Sequence, residues 1–186
     1  MELSDDEVDR AVGAVLGGAV GDALGAGYEF TTPGPDTPIE MIGGGFAGFE
    51  PGEWTDDTAQ AAAILRVLAD GVLDLKAIGN GFLEWFRGGP KDVGISTAAV
   101  LRGSQGDASR LRAAADRYFE DNPKGAAGNG SLMRTAPVAV AHLGDDDAIA
   151  DAAREVSRLT HGDPLAADAC VLWCIAMDRA DRKSVV

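Results

Sequence analysis

The chain has 186 residues, 46% of them hydrophobic, enough for one domain with a real core. Asp and Glu number 30 against 16 Lys and Arg, and the resulting net charge of −14 argues against nucleic acid or an anionic membrane as a partner. No apolar run approaches the length needed to span a bilayer, and the acidic start MELSDDEVDR lacks the basic region of a secretory signal, so a soluble cytoplasmic protein is expected.

Lysine is confined to Lys76, Lys91, Lys124 and Lys183, and the acid is mostly aspartate. Such a surface suits a protein that stays soluble in high salt, although an ordinary acidic protein would read the same way. Cys170 and Cys174 stand four apart on a helical pattern. They read as buried free thiols, with a disulfide or a metal pair as the lesser alternative.

Ser4 and Glu7 form a capping box ahead of a helix in which Val8, Val12, Val15, Ala19 and Ala23 repeat. Four glycines, Gly13, Gly17, Gly18 and Gly21, weaken that helix and permit close backbone approach. A long Pro/Gly loop, TTPGPDTPIEMIGGGFAGFEPG, follows. Helical patterns then recur near 56–69, 75–86, 96–102, 108–119, 131–141, 146–160 and 164–178, with Pro137 expected to kink or interrupt one of them. Asp163 and Pro164 read as an N-cap and a proline at the first helical position. No segment has the alternation of a strand, and the expected class is all-α.

The segment GEWTDDTAQ places Thr55, Asp56, Asp57 and Thr58 at a helix start. Thr55 suits an N-cap and the acids suit the positive end of the helix dipole. The same oxygens suit a hard cation such as Mg²⁺. GDALGAGYEF puts Glu29 beyond two glycines, either as a solvated loop acid or as a functional carboxylate. KDVGISTAAV presents Asp92 before a helix, a position open to capping. GAAGNGSLMR offers backbone N–H groups to an anion, and SRLTHGDP sets His161 between two helices, where a structural role is equally available.

Taken in order, GAVLGGAVGDALGAGYEF, GEWTDDTAQ, KDVGISTAAVLRG, GNGSLMRTAPVAV and LTHGDP resemble successive motifs of the ADP-ribosylglycohydrolase family, from about residue 11 to about 178. The resemblance implies an all-α orthogonal multi-helix bundle, a binuclear Mg²⁺ (or Mn²⁺) centre, and hydrolysis of the bond at ribose C1″ of ADP-ribose on a protein or small-molecule substrate. It assigns Thr55, Asp56 and Asp57 as metal ligands, and Glu29, Asp56 and Asp92 as catalytic carboxylates. It gives the substrate Gly125, Gly128, Asn129, Gly130, Ser131, Met133 and His161. The family's second half-site, a D-x-D followed by Ser or Thr near the end of a longer chain, has no counterpart here. Asp145, Asp146 and Asp147 open a helix as a cap and a solvated face. The expectation is therefore a partial domain over 1–180, incomplete at its C-terminus and inactive alone. Residues 181–186, DRKSVV, are expected to be a non-native tail, because they back-translate to a sequence resembling a sequencing-library adapter.

Two other readings compete. The first is an ADP-ribose-binding module without turnover. The second is a prenyl-transfer-type Mg²⁺-diphosphate site, because Asp56 and Asp57 are followed by Gln60, but it needs a second acidic cluster on a facing helix.

Overall fold

The computed structural model describes residues 4–183 and is built from α-helices, with no strand among the described residues. The helices are α1 (Asp5–Gly25), α2 (Asp56–Leu68), α3 (Leu75–Arg87), α4 (Ile95–Gly103), α5 (Leu111–Asp121), α6 (Ala136–Ala141), α7 (Asp146–Ser157) and α8 (Pro164–Lys183). Two short 3₁₀ turns, Ala108–Arg110 and Asn129–Ser131, lead toward α5 and α6. The all-α expectation holds.

The main packing pairs are α7 with α8, α2 with α3, α4 with α5, and α2 with α6. Their shared core contains Ile64, Ile78, Phe82, Leu83, Leu101, Leu111, Ile149 and Val156, each 2% exposed or less. Removing side chains of this size from water is the main favourable contribution to folding. Cys170 and Cys174 belong to the same core as free thiols.

Local signals fix the helix ends. The Ser4–Glu7 capping box forms, with the Ser4 N–H donating to the Glu7 carboxylate at 2.7 Å. Asp145 accepts from the Ala148 N–H, and Asp163 from the Leu165 N–H at 2.9 Å. Pro137 neither kinks nor interrupts a helix. It sits in the first turn of α6, where a missing N–H costs no hydrogen bond. The pattern over 131–141 therefore begins as a turn and becomes helix only at Ala136.

Helix α1 uses its apolar repeat unevenly. Ala23 is buried and Val15 and Ala19 are half-buried, but Val8, Val12, Leu16 and Val20 form an exposed stripe. Helix α8 continues beyond residue 178 to Lys183. Asp181 accepts from Arg10 at 2.5 Å, and Arg182 pairs with Asp146 and Asp178. The remainder of the expected tail, residues 184–186, lies outside the described residues.

The long loop after α1 is tied down at several points. The Tyr28 hydroxyl accepts from the Glu40 N–H at 3.0 Å, Gly44 pairs with Phe49, and Lys91 donates to Gly48 O and Glu53. Gly43 has φ of +63°, and a Cβ there would stand 2.6 Å from Phe49 O, so only glycine fits that crossing.

Candidate active site

A cleft of about 1150 Å³ opens between α1, the first turn of α2, the segment before α4 and the Gly128–Gly130 turn. The start of α2 forms one wall. Asp22, near the end of α1, accepts the backbone N–H of Thr55 at 3.0 Å and of Thr58 at 3.1 Å, and the Thr58 hydroxyl at 2.6 Å. Thr55 caps the same turn, its hydroxyl accepting from the Asp57 N–H at 3.3 Å. The N–H groups of Thr55, Asp57 and Thr58, which have no partner within the helix, are thereby served by Asp22 and Thr55. The carboxylates of Asp56 and Asp57 are left to face the cleft, so capping and an oxygen-rich site coexist.

The electrostatics of this wall are lopsided. Burial above all, then the charges of Asp92 and Asp57, pushes Asp56 up to about 7, against a restraining backbone N–H from Gly94. Asp57 is pushed up to about 6 by burial, then by Asp22, Glu29 and Asp92, with the Thr55 hydroxyl opposing. Glu29 is also raised, by burial and then by Asp92 and Asp22. No lysine or arginine among the described residues makes an ion pair with Asp22, Glu29, Asp56, Asp57 or Asp92.

Uncompensated, partly buried carboxylates beside a hydroxyl have the chemistry of a hard-cation site. The spatial set is smaller than the chemistry invites. Among the described residues no three His, Cys, Asp or Glu side chains are gathered closely enough to hold one metal ion. Thr55, Asp56 and Asp57 thus fit a divalent cation as a partial donor set.

Asp92 is not a helix cap, because the N-cap position of α4 is Gly94 and no side chain caps that helix. It lines the cleft with Glu29, Gly128, Asn129, Gly130 and Met133. Gly125 is exposed and away from that wall, and Ser131 and His161 lie behind it, each 1% exposed. Ser131 accepts from the Ser157 hydroxyl at 3.0 Å. His161 sits directly under Gly130, where a Cβ would come 3.1 Å from its Cε1 and 3.1 Å from Thr97 Oγ1.

Sequence reasoning passed over Asp22 and Arg134, although GDALG carries a lone acid amid glycine and apolar residues. Gln60 is buried and receives Arg134 Nη1, so it is not a diphosphate-site residue facing metal. The acidic residues Asp145–Asp147 serve as the cap and exposed face of α7 and supply no facing cluster.

This helical frame has counterparts among known proteins. The ADP-ribosylglycohydrolase family model matches residues 3–185. The chain belongs to the ADP-ribosylglycohydrolase family. It is 37% identical to an ADP-ribosyl-[dinitrogen reductase] glycohydrolase of Rhodospirillum rubrum, over 88% of this chain and 55% of that protein. It is 30% identical to the ADP-ribosylarginine hydrolase Tri1 of Pseudomonas putida, over 98% of this chain and 50% of the relative. A solved ADP-ribosylglycohydrolase-related protein complex superposes with a TM-score of 0.79 at 34% identity, covering 96% of this chain and 58% of the other. The chain therefore spans about half the length of the curated relatives it matches.

Proposed function

We propose that this chain supplies the ADP-ribose cleft and part of the metal site of a Mg²⁺-dependent hydrolase. The reaction is cleavage of the glycosidic bond between ADP-ribose and an acceptor, a protein side chain or a small molecule. The observation that carries the reading is the set of five carboxylates without an ion-pair partner in a cleft that the Gly128–Gly130 turn also lines. Turns rich in free N–H groups suit a diphosphate, and an acidic wall suits ribose hydroxyls and a cation.

Within this scheme Thr55, Asp56 and Asp57 hold the divalent cation, which when bound supplies Lewis-acid polarisation and a water of lowered pKa. Glu29 and Asp92 flank the position of the scissile bond. A carboxylate raised toward neutrality is suited to accept a proton from the attacking water, and Glu29 is raised. The Gly128–Gly130 turn holds the diphosphate, with Met133 on the adjoining wall. Gly125 stands at the far end of that stretch, Ser131 supports the turn from behind, and His161 supports it from below. The proposal puts this work in the cytoplasm; none of the described helices is long and apolar enough to cross a membrane.

The alternative reading is a non-catalytic ADP-ribose-binding module, favoured by the absence of a three-carboxylate metal group among the described residues. Two measurements on the 186-residue chain decide between them. Calorimetric titration with ADP-ribose, with and without Mg²⁺, reads binding. Release of free ADP-ribose from an ADP-ribosylated arginine or serine peptide reads turnover. Binding with Mg²⁺-dependent release supports the hydrolase, and binding without release supports the module. No binding under either condition would overturn both.

A further inference from the structure

Arg134 is the largest of the fully buried side chains, at 0% exposure, and no carboxylate among the described residues pairs with it. Its guanidinium lies over the Phe82 ring, 4.3 Å from the centroid. Nη1 donates to Gln60 Oε1, and Nη2 donates to Thr160 Oγ1 at 2.7 Å and to Val156 O at 3.4 Å. Burying an unpaired cation is costly, and an apolar residue of similar volume would fill this space at less expense.

The consequences run in two directions, because a guanidinium can only donate. On one side it takes the oxygen of the Gln60 amide, which leaves the NH₂ to face Asp56 Oδ2, 3.4 Å away. On the other side it takes a lone pair of the Thr160 hydroxyl, which lies 2.9 Å from His161 Nδ1. An Nδ1–H there would aim its positive end toward the cation, whereas an Nδ1 lone pair receives the Thr160 proton and faces the charge favourably. The imidazole proton then belongs on Nε2. That atom is buried without a partner and stands 3.3 Å from where a Cβ of Gly130 would be.

We propose that Arg134 is the positioning residue of the cleft, fixing the Gln60 amide with its NH₂ toward Asp56 and fixing His161 as the Nε2–H tautomer beneath the Gly128–Gly130 turn. One buried cation thereby sets the donor orientation under both walls. Burial, and then the Arg134 charge, pushes His161 down to about 3, which keeps the ring neutral at pH 7. The importance of the arrangement for ligand binding rests on the cleft being an ADP-ribose site, but the tautomer itself does not.

The test is the imidazole ¹⁵N pattern of the full chain at pH 7, read by long-range ¹H–¹⁵N correlation. The sequence has two histidines, His142 and His161, so His142 serves as the internal reference. In the wild type His161 is expected to show an unprotonated Nδ1 and a protonated Nε2. Thr160→Val keeps the shape of the side chain and removes the hydroxyl, and it should shift His161 toward averaged tautomers while leaving His142 unchanged. Arg134→Met should do the same and also weaken ADP-ribose binding, and if that variant does not fold, Thr160→Val carries the test. A wild-type His161 protonated on Nδ1 or on both nitrogens, or an unchanged pattern in folded Thr160→Val, overturns the proposal. Failure of ADP-ribose to bind a wild type with the expected tautomer would overturn the proposed function alone.

Discussion

The Asp22 carboxylate receives the backbone N–H of Thr55 at 3.0 Å although the two residues are 33 apart in sequence. This contact, with the two from Thr58, anchors the end of α1 to the start of α2. Asp22→Ala leaves three donors without their acceptor, and the expected loss is roughly 1–3 kcal/mol of stability in urea titration. Asp22→Asn retains one acceptor oxygen and should cost less. Equal stability of Asp22→Ala and wild type would mean that water serves those donors equally well.

The pH dependence of stability has a calculable sign at the α2 start. Asp56 and Asp57 move from an ordinary 3.8 up to about 7 and about 6 in the folded state. The folded chain therefore holds more protons than the unfolded chain between about pH 4 and 7, and their contribution to stability declines as pH rises across that window. His161 acts in the opposite sense. Lowered from 6.5 to about 3, it reduces stability as pH falls below 6.5. The difference between Asp56→Asn/Asp57→Asn and wild type isolates the carboxylates. The variant should become progressively more stable than wild type from pH 4 to 7, by up to a few kcal/mol, and level off above. A pH-independent difference would show that these acids are not raised.

The same carboxylates set the expected response to metal. Mg²⁺ or Mn²⁺ at millimolar concentration should raise the melting temperature of the wild type, since a ligand bound only by the folded state stabilises it by mass action. The double Asn variant should lose that rise, because neutral amides do not supply the charge a hard cation requires. An equal rise in both proteins, at matched ionic strength, would place the cation elsewhere.

How much of this could be read from the chain alone depended on whether the signal was local. Thr55, Asp56 and Asp57 are consecutive, so their joint appearance at a helix start was visible before any fold. Asp22 takes its meaning from the packing of α1 against α2, and no spacing rule links positions 33 apart. Arg134 was hidden for another reason: arginine is usually a surface residue, and its complete burial depends on α2, α7 and Phe82 converging around it. His161 was visible as a residue between two helices, but its place behind the cleft wall is a matter of tertiary depth. The valines of α1 show the limit of periodicity, which marks an apolar face without saying what covers it.

Gly130 tests the contact between the turn and what lies beneath it. In Gly130→Ala the new methyl meets His161 and Thr97 at 3.1 Å, tighter than ordinary contact, so the turn or the imidazole must shift. Overpacking of this kind costs about 1–3 kcal/mol. The expectation is a folded protein with ADP-ribose affinity reduced about tenfold or more, which corresponds to about 1.4 kcal/mol or more. Undiminished affinity in calorimetry would mean that the ligand does not depend on the placement of this turn.

Salt should stabilise the protein, because two electrostatic terms of opposite sign are screened together. The ion pairs that salt weakens, such as Arg112 with Glu155 and Arg179 with Asp146, have side chains more than a third exposed. Exposed pairs of this kind are each worth about 0–1 kcal/mol. Against them stands a net charge of −14, with Asp22, Glu29, Asp56, Asp57 and Asp92 concentrated around one cleft. Screening that repulsion favours the compact state, and the excess of acid over base makes this the larger effect. The melting temperature is therefore expected to rise from low salt to molar KCl. Sulfate is avoided because it strengthens apolar burial on its own account. A melting temperature that is flat or falls over this range would show that the ion pairs, and not the acidic surface, govern the response.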